Sequence, residues 1–439
     1  MDIYNGVSFA GIFILLGFAW LISTDRKNQN CRVVFWGIGI QLFVALFVFI
    51  IFPRMGKGGN PFLLLNDLVV KVIDAAKAGP QFVFWRLALG PGETDATGAT
   101  SLGFILAFQA LPTIIFFSAL MAVLYYCNVM PLLIRGFASV FTKLMRVSGA
   151  ESLCVSSNIF VGVEASLTIK PHLKDMTRSE LCTILTGGMA TIASSMLAVY
   201  VMYLHREFPT IAGHLISASV LNAPAALVMS KILLPESEEP KTLGEEIQPH
   251  YEKEDSVFEA IINGSNSGLQ LIFGITALLI AVLGLVALVN YALGGISTAL
   301  GAEAPWSLEL GLGYLFYPFT LIMGVPFKDA PTISKIIGAR VIITELPCYM
   351  RLAEVMKEGI LTNPRSAVIA TYALCGFAHV ASMAIFIGGI SALAPSRTKT
   401  LAQVGPRALL AATLACLLTG CVAGTFVTSG IKSTILLGQ

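Results

Sequence analysis

Runs of mainly apolar residues recur along this chain at 6–23, 33–53, 102–126, 181–204, 210–234, 266–292, 366–393 and 406–430. Each is close to the roughly 20 residues that a membrane-crossing helix needs, so the pattern predicts eight crossings. Five further apolar segments are interrupted by charge or proline: 61–80, 131–148, 153–173, 307–324 and 328–357. In 131–148, Arg135, Lys143 and Arg146 stand among apolar residues at helical spacing, which predicts a helix lying in the interface. Segments 153–173 and 328–357 each hold a carboxylate, Glu164 and Glu345, between apolar arms. Irregular backbone at membrane depth persists only where protein or a water-filled cavity satisfies it, so both are expected to be re-entrant hairpins.

Two spans carry nearly the same phrase, Gly188-Met-Ala-Thr-Ile-Ala-Ser194 and Gly376-Phe-Ala-His-Val-Ala-Ser382. Thr191 then matches His379, and Ser194 matches Ser382. Small-residue helix packing alone can produce such a phrase, but here a hairpin precedes both copies. Repeats whose small and polar residues break apolar spans mark secondary transporters, which hold their solute near the bilayer midplane. The expected fold is an all-α polytopic membrane protein with about eight transmembrane helices, two re-entrant helical hairpins, interfacial helices and an internal inverted repeat. Residues 1–100 form N-terminal spans on the scaffold side, 101–234 the first repeat, and 257–439 a long scaffold helix with the second repeat. Between the halves, 235–256 is a Glu-rich linker, expected to be mobile and solvated, with no chemistry of its own.

Composition agrees with a membrane protein: of 439 residues, 56% are hydrophobic and 12% charged, outside the usual range of soluble domains. A net charge of +2 without a basic stripe gives no reason to expect a nucleic-acid partner. The eight cysteines, Cys127 among them, lie singly and mostly in apolar runs, and read as small core residues. The first run reads as a retained span. Basic residues in the first loop (Arg26, Lys27, Arg32) and the last (Arg397, Lys399, Arg407) suggest cytoplasmic loops with both termini outside. Asn263-Gly-Ser265 fits a glycosylation triplet but runs straight into apolar sequence, so it reads as chance.

A carboxylate deep in the bilayer is usually paired, hydrated or functional. Glu164 and Glu345 have three open roles: accepting substrate hydroxyls, ligating a cation, or exchanging a proton. His379 is either a core histidine or part of the site. Thr191, Ser194, Ser195 and Ser382 supply hydroxyls or back-bond to their helices. Asn158 supplies a side-chain oxygen for a hard cation or caps a half-helix. Signatures of a nucleotide-driven pump or a soluble enzyme are missing, which leaves ion coupling as the energy source.

The phrases Ser156-Ser-Asn-Ile-Phe-Val-Gly162, Met176-Thr-Arg-Ser-Glu-Leu-Cys-Thr-Ile-Leu-Thr-Gly-Gly188, Ile369-Ala-Thr-Tyr-Ala-Leu-Cys-Gly-Phe-Ala378 and Ile387-Gly-Gly-Ile-Ser-Ala-Leu-Ala-Pro395 resemble the concentrative nucleoside transporter family. The resemblance implies a homotrimer in the plasma membrane, the inner membrane of a bacterium, with a transport domain moving elevator-fashion against a scaffold. It implies sodium coordination by Asn158, Val161, Thr191 and Ile192. It also implies sugar contacts from Glu345, His379 and Ser382 beside Phe377, with Glu164 as the first-hairpin carboxylate. Three departures fall at the site. Gly162-Val-Glu-Ala-Ser166 replaces Gly-Gln-Thr-Glu-Ala-Pro, leaving Val163 where base-contacting side chains are usual. His379 replaces an Asn, and Thr344-Glu345-Leu346 replaces Asn-Glu-Phe.

The expected function is a sodium- or proton-coupled symporter, with no other cofactor, importing nucleosides or a related ribose-like solute. Alternatives are a relative carrying a different polar solute, a gated channel or sensor, and a membrane enzyme on a nucleotide-linked lipid using Glu164, Glu345 and His379.

Overall fold

The computed structural model describes residues 2–427, apart from 56–58, 91, 95–97, 99, 251–253 and 303–304. Apolar composition and sparse charge make these residues almost wholly helical, and seven of the helical stretches are long and apolar enough to cross a membrane. Helix α1 (Ile3–Leu21) is followed by α2 (Cys31–Leu46), which passes through a π-turn at Phe47–Ile51 into α3 (Phe52–Arg54). The π-turn falls just before Pro53, which has no N–H to continue the ladder. Next come α4 (Pro61–Ala76), α5 (Ala78–Phe84), the short α6 (Leu106–Gln109) and α7 (Thr113–Tyr126). Helix α8 (Val129–Met145) buries Met130, Ile134, Ala138, Phe141 and Met145 at 3–4-residue spacing and exposes Arg135 and Lys143, as expected of an interfacial helix.

Within the region expected to be the first repeat, α9 (Gly149–Asn158) is followed by a 3-10 segment, Val163–Ile169, rather than a second α-helix. The cause is local: Ser166 Oγ donates to the Val163 carbonyl (2.7 Å) and Thr168 Oγ1 to that of Ala165 (2.6 Å), fixing the tighter three-residue spacing. Helix α10 (Arg178–Ala190) breaks before α11 (Ser194–Leu204), and α12 (Ile211–Leu233) completes the unit. Helices α9 and α10 start with the same device, capping boxes Ser148/Glu151 and Thr177/Glu180. Lys231, near the end of α12, lies 2.5 Å from Glu151 and 3.1 Å from Glu236.

Helix α13 (Val257–Ala299) is 43 residues long and packs on α7 through Gly264 and Gly268, where a Cβ would meet Ala119 and Ile115 at 2.8 and 2.7 Å. Then follow α14 (Leu308–Ile322), with Pro318 inside it, and the second repeat. This consists of α15 (Ala330–Ile343) and α16 (Glu345–Lys357), then α17 (Pro364–Leu374) and α18 (Val380–Leu393), and finally α19 (Thr398–Phe426). The span expected at 366–393 is thus two helices of 11 and 14 residues, which is why seven rather than eight long apolar stretches are found. The span expected at 406–430 begins earlier, at Thr398, and its last residues, 428–430, lie outside the described residues. Six cysteines are buried as expected, whereas Cys31 and Cys127 are exposed.

The described part of the linker is docked, contrary to the expectation of a mobile solvated segment. Gly149 N donates to Thr242 O (2.8 Å), Ala150 N to Thr242 Oγ1 (3.2 Å) and His250 N to Thr168 O (2.8 Å). Gly149 leaves room for the Glu245 carbonyl, and hydrogen bonds from Lys143 and Ser139 hold the Glu246 carboxyl below the usual carboxylate range. Orphan amides at the start of α9 are what fix this strand of chain, a demand that composition does not display. Thr242→Val should therefore lower stability by about 1 kcal/mol. The checks are a reduced thermal midpoint and faster proteolysis within the linker; unchanged values of both would refute the docking.

Candidate functional site

The two broken helices meet at their breaks. Gly376, with φ 148°, lies against the end of α10, where a Cβ would come within 2.5 Å of the Ala190 carbonyl oxygen. The repeated phrases match only in part: Ala190 corresponds to Ala378, yet α17 ends earlier, at Leu374. The glycine lets the second chain turn sooner. Thr191 accordingly closes α10, its hydroxyl donating to Gly187 O (2.8 Å), whereas His379 opens α18 as its N-cap.

Beside this crossing lies a cavity of about 510 Å³, within the size range of small-molecule sites. Val161, Val163, Glu164, Glu345, Phe377, His379 and Ser382 all line it, so the turn after α9, the start of α16 and the second break meet at one cavity. Val163 also fills the notch at Gly389, and Glu164 is exposed toward the cavity.

Glu345 and His379 are each only 3% exposed. Glu345 Oε1 accepts a 2.6 Å hydrogen bond from the Tyr200 hydroxyl, and Oε2 lies 3.1 Å from His379 Nε2. His379 Nδ1 accepts from the Ser382 backbone N–H at 3.1 Å. A neutral ring must then carry its proton on Nε2, facing the carboxylate. Ser382 Oγ shares its one hydrogen between the carbonyls of Phe377 and His379 and accepts from the His379 N–H. The result is a buried carboxylate held by the Tyr200 hydroxyl and facing the His379 ring, with Oε2 left without a hydrogen-bond partner among the described residues and available to a hydroxyl-bearing solute. Thr344, immediately before Glu345, has φ 74° and ψ 169°, a strained conformation for a β-branched residue.

Asn158, Thr191 and Ile192 are buried and do not line the cavity. Ser194 N and Oγ both donate to Phe160 O (3.0 and 2.7 Å), which ties Val161 to the break that holds Thr191 and Ile192. Asn158 Nδ2 donates to Cys154 O (3.0 Å), while its Oδ1 has no hydrogen-bond partner among the described residues. A buried amide oxygen, a threonine and carbonyls at broken backbone make a donor set suited to a hard monovalent cation. Among the described residues no three His, Cys, Asp or Glu side chains converge as a metal centre.

Sequence reasoning missed Tyr200 and the linker residues His250 and Glu254, which also line or complete the site. A hydroxyl two turns below a break in an apolar helix was the available signal for Tyr200. Asn263, read only as a chance triplet, lies within α13 and faces the cavity.

Three family models match this chain: Na+ dependent nucleoside transporter N-terminus over 10–87, Nucleoside recognition over 107–206, and Na+ dependent nucleoside transporter C-terminus over 214–424. Solute carrier family 28 member 3 of Rattus norvegicus is 36% identical over 438 residues, covering 95% of this chain; the chain spans only 58% of that protein's length. An uncharacterized transporter of Haemophilus influenzae is 35% identical over 428 residues, covering 96% of this chain and 98% of the other. Among solved structures, CNTnw in an inward-facing substrate-bound state superimposes with a TM-score of 0.85 at 33% identity, covering 96% of this chain and 99% of that one. With its apolar helices and matches that cover 95% or more of it, the chain is a multi-pass membrane protein that belongs to the concentrative, Na+ dependent nucleoside transporter family, a family of transporters and not of enzymes.

Proposed function

We propose that this protein imports nucleosides, or a closely related ribose-bearing solute, by sodium-coupled symport and alternating access. The observation that carries this is the buried carboxylate of Glu345, held by Tyr200 and facing His379 in the cavity wall. Two adjacent sugar hydroxyls match its remaining lone pairs, and Val161, Val163, Phe377 and Phe386 offer apolar area to a base. Sodium is the preferred coupling ion because Asn158 Oδ1 is buried without a partner, an arrangement that a bound cation would satisfy. The pairs α9 with Val163–Ile169 and α15 with α16 act as re-entrant hairpins, and α17 with α18 forms the eighth crossing. Helix α13, apolar and almost entirely exposed, is the proposed scaffold element facing lipid and the other subunits of a trimer. A nucleoside and a cation that favour the same hairpin geometry raise each other's affinity, which is the thermodynamic basis of coupling. The test is radiolabelled uridine or adenosine uptake into proteoliposomes. Accumulation above the external concentration is expected with an inward sodium gradient; equilibration alone would show a channel. Accumulation driven equally by a proton gradient without sodium would replace the ion.

His379 should set the choice of solute, because its ring caps α18 through Nδ1 and faces Glu345 in the cavity wall. His379→Asn keeps a good N-cap and should reorder nucleoside competitors of uptake. If the ranking stays as in wild type, His379 serves only as the α18 cap.

A further inference from the structure

Helix α12 carries a residue that reaches both breaks at once. Asn222 is fully buried, and its single amide nitrogen donates to Ala190 O (2.7 Å), the last residue of α10, and to Cys375 O, just past the end of α17. An amide nitrogen has two hydrogens, so both are used. Cys416 Sγ, on α19, approaches the same two carbonyls at 3.7 and 3.3 Å, and the missing Cβ of Gly376 lets them come together.

These carbonyls sit at critical places in the chain. Ala190 directly precedes Thr191 and Ile192, which with Asn158 form the proposed cation site. Cys375 precedes Phe377 and His379, which line the cavity beside Glu345. Helix ends leave carbonyls unsatisfied, and here the ends of α10 and α17 share the Asn222 amide, with the Cys416 thiol as a weaker second donor. A shift of either break must therefore stretch a buried hydrogen bond to the other, where the residues around it are fully buried.

Given sodium-coupled nucleoside transport, we infer that Asn222 is a positioning residue that couples the cation site to the substrate site by clamping the two breaks together. It touches neither ligand. Its role lies in the interaction between sites, which is expressed as the factor by which sodium raises nucleoside affinity and, reciprocally, nucleoside raises sodium affinity. A structural role alone would lower stability and scale both affinities without changing that factor.

The experiment uses the full chain in lipid nanodiscs, with uridine binding measured by calorimetry in saturating sodium and in choline. In wild type the ratio of the two dissociation constants should fall within the range of about 5- to 150-fold typical of coupled sites. Asn222→Ala is expected to bring the ratio close to one while uridine affinity in choline stays within about twofold of wild type. Asn222→Ser, whose single hydroxyl can reach one carbonyl at a time, should give an intermediate ratio and serves also if the alanine variant does not fold. A wild-type ratio in either folded variant overturns the inference and leaves the proposed function intact. No sodium effect on uridine binding in wild type overturns the proposed coupling and this inference with it. If neither variant folds, Cys416→Ala, which removes the second donor to the same carbonyls, is read instead; an unchanged ratio there counts against the clamp.

Discussion

Glu345→Gln is expected to abolish nucleoside uptake, lowering it by at least about 100-fold, while the protein still folds. Hydrogen bonds to charged groups are worth about 1.5–3 kcal/mol each, so weakening two of them to a sugar diol is enough for that loss. Glutamine keeps the shape of the side chain but offers one acceptor oxygen where the carboxylate offers two. Its amide would take the place either of the oxygen that accepts from the Tyr200 hydroxyl or of the Oε2 that is left without a partner and faces the cavity wall. Folding should survive because a neutral isostere also removes the desolvation burden of a charge at a site only 3% exposed. Tyr200→Phe provides the graded control: one donor is lost, the carboxylate remains, and uptake should fall by about tenfold, the equivalent of one ordinary hydrogen bond of about 1.4 kcal/mol. Uptake at the wild-type rate by the Gln variant would remove Glu345 from the site.

The second large effect is expected at Asn158. Sodium should raise the melting temperature of the wild-type protein relative to potassium at matched ionic strength. A ligand present at 100 times its dissociation constant adds about 2.7 kcal/mol to the stability of the state that binds it. Asn158→Ala should erase that difference, because its amide oxygen, unpartnered at 1% exposure, is the side-chain ligand of the proposed cation site. If Asn158 merely packs α9, the substitution lowers both melting temperatures equally and the sodium-dependent difference persists. Identical melting of the wild-type protein in both salts would point to protons as the coupling ion.

What could be read in the sequence depended on whether a feature arises from side chains or from backbone demand. Broken spans were legible because glycine and hydroxyl residues interrupt otherwise continuous apolar runs. Glu345 was legible because ionisable groups are rare at such depth. Tyr200 was not, since a tyrosine in an apolar helix is ordinary until its hydroxyl is seen on a carboxylate. The linker was misread as solvated because composition displays its charge and not its attachment, which runs through the Thr242 carbonyl, the His250 amide and the contact of Glu236 with Lys231. The second break fell earlier than the repeated phrase implied, since the positive φ of Gly376, not the match to Thr191, decides where the helix stops. The 3-10 arm escaped notice for a similar reason: two hydroxyls bonding back along the chain outweighed an apolar pattern that suits an α-helix equally well.

Thr344 gives the second hairpin tip a mechanical character. A β-branched residue at φ 74° and ψ 169° carries about 1–3 kcal/mol of backbone strain, and nothing in its own chemistry favours that shape. The neighbouring Glu345, bonded to Tyr200 and facing His379, is the contact beside it that holds this backbone in place. Under the proposed transport function the tip would work as a sprung catch: loosening the contacts around the carboxylate would let the backbone relax downhill, by a factor of about 5 to 150 in population, so that release of solute and recoil of the catch would be one event.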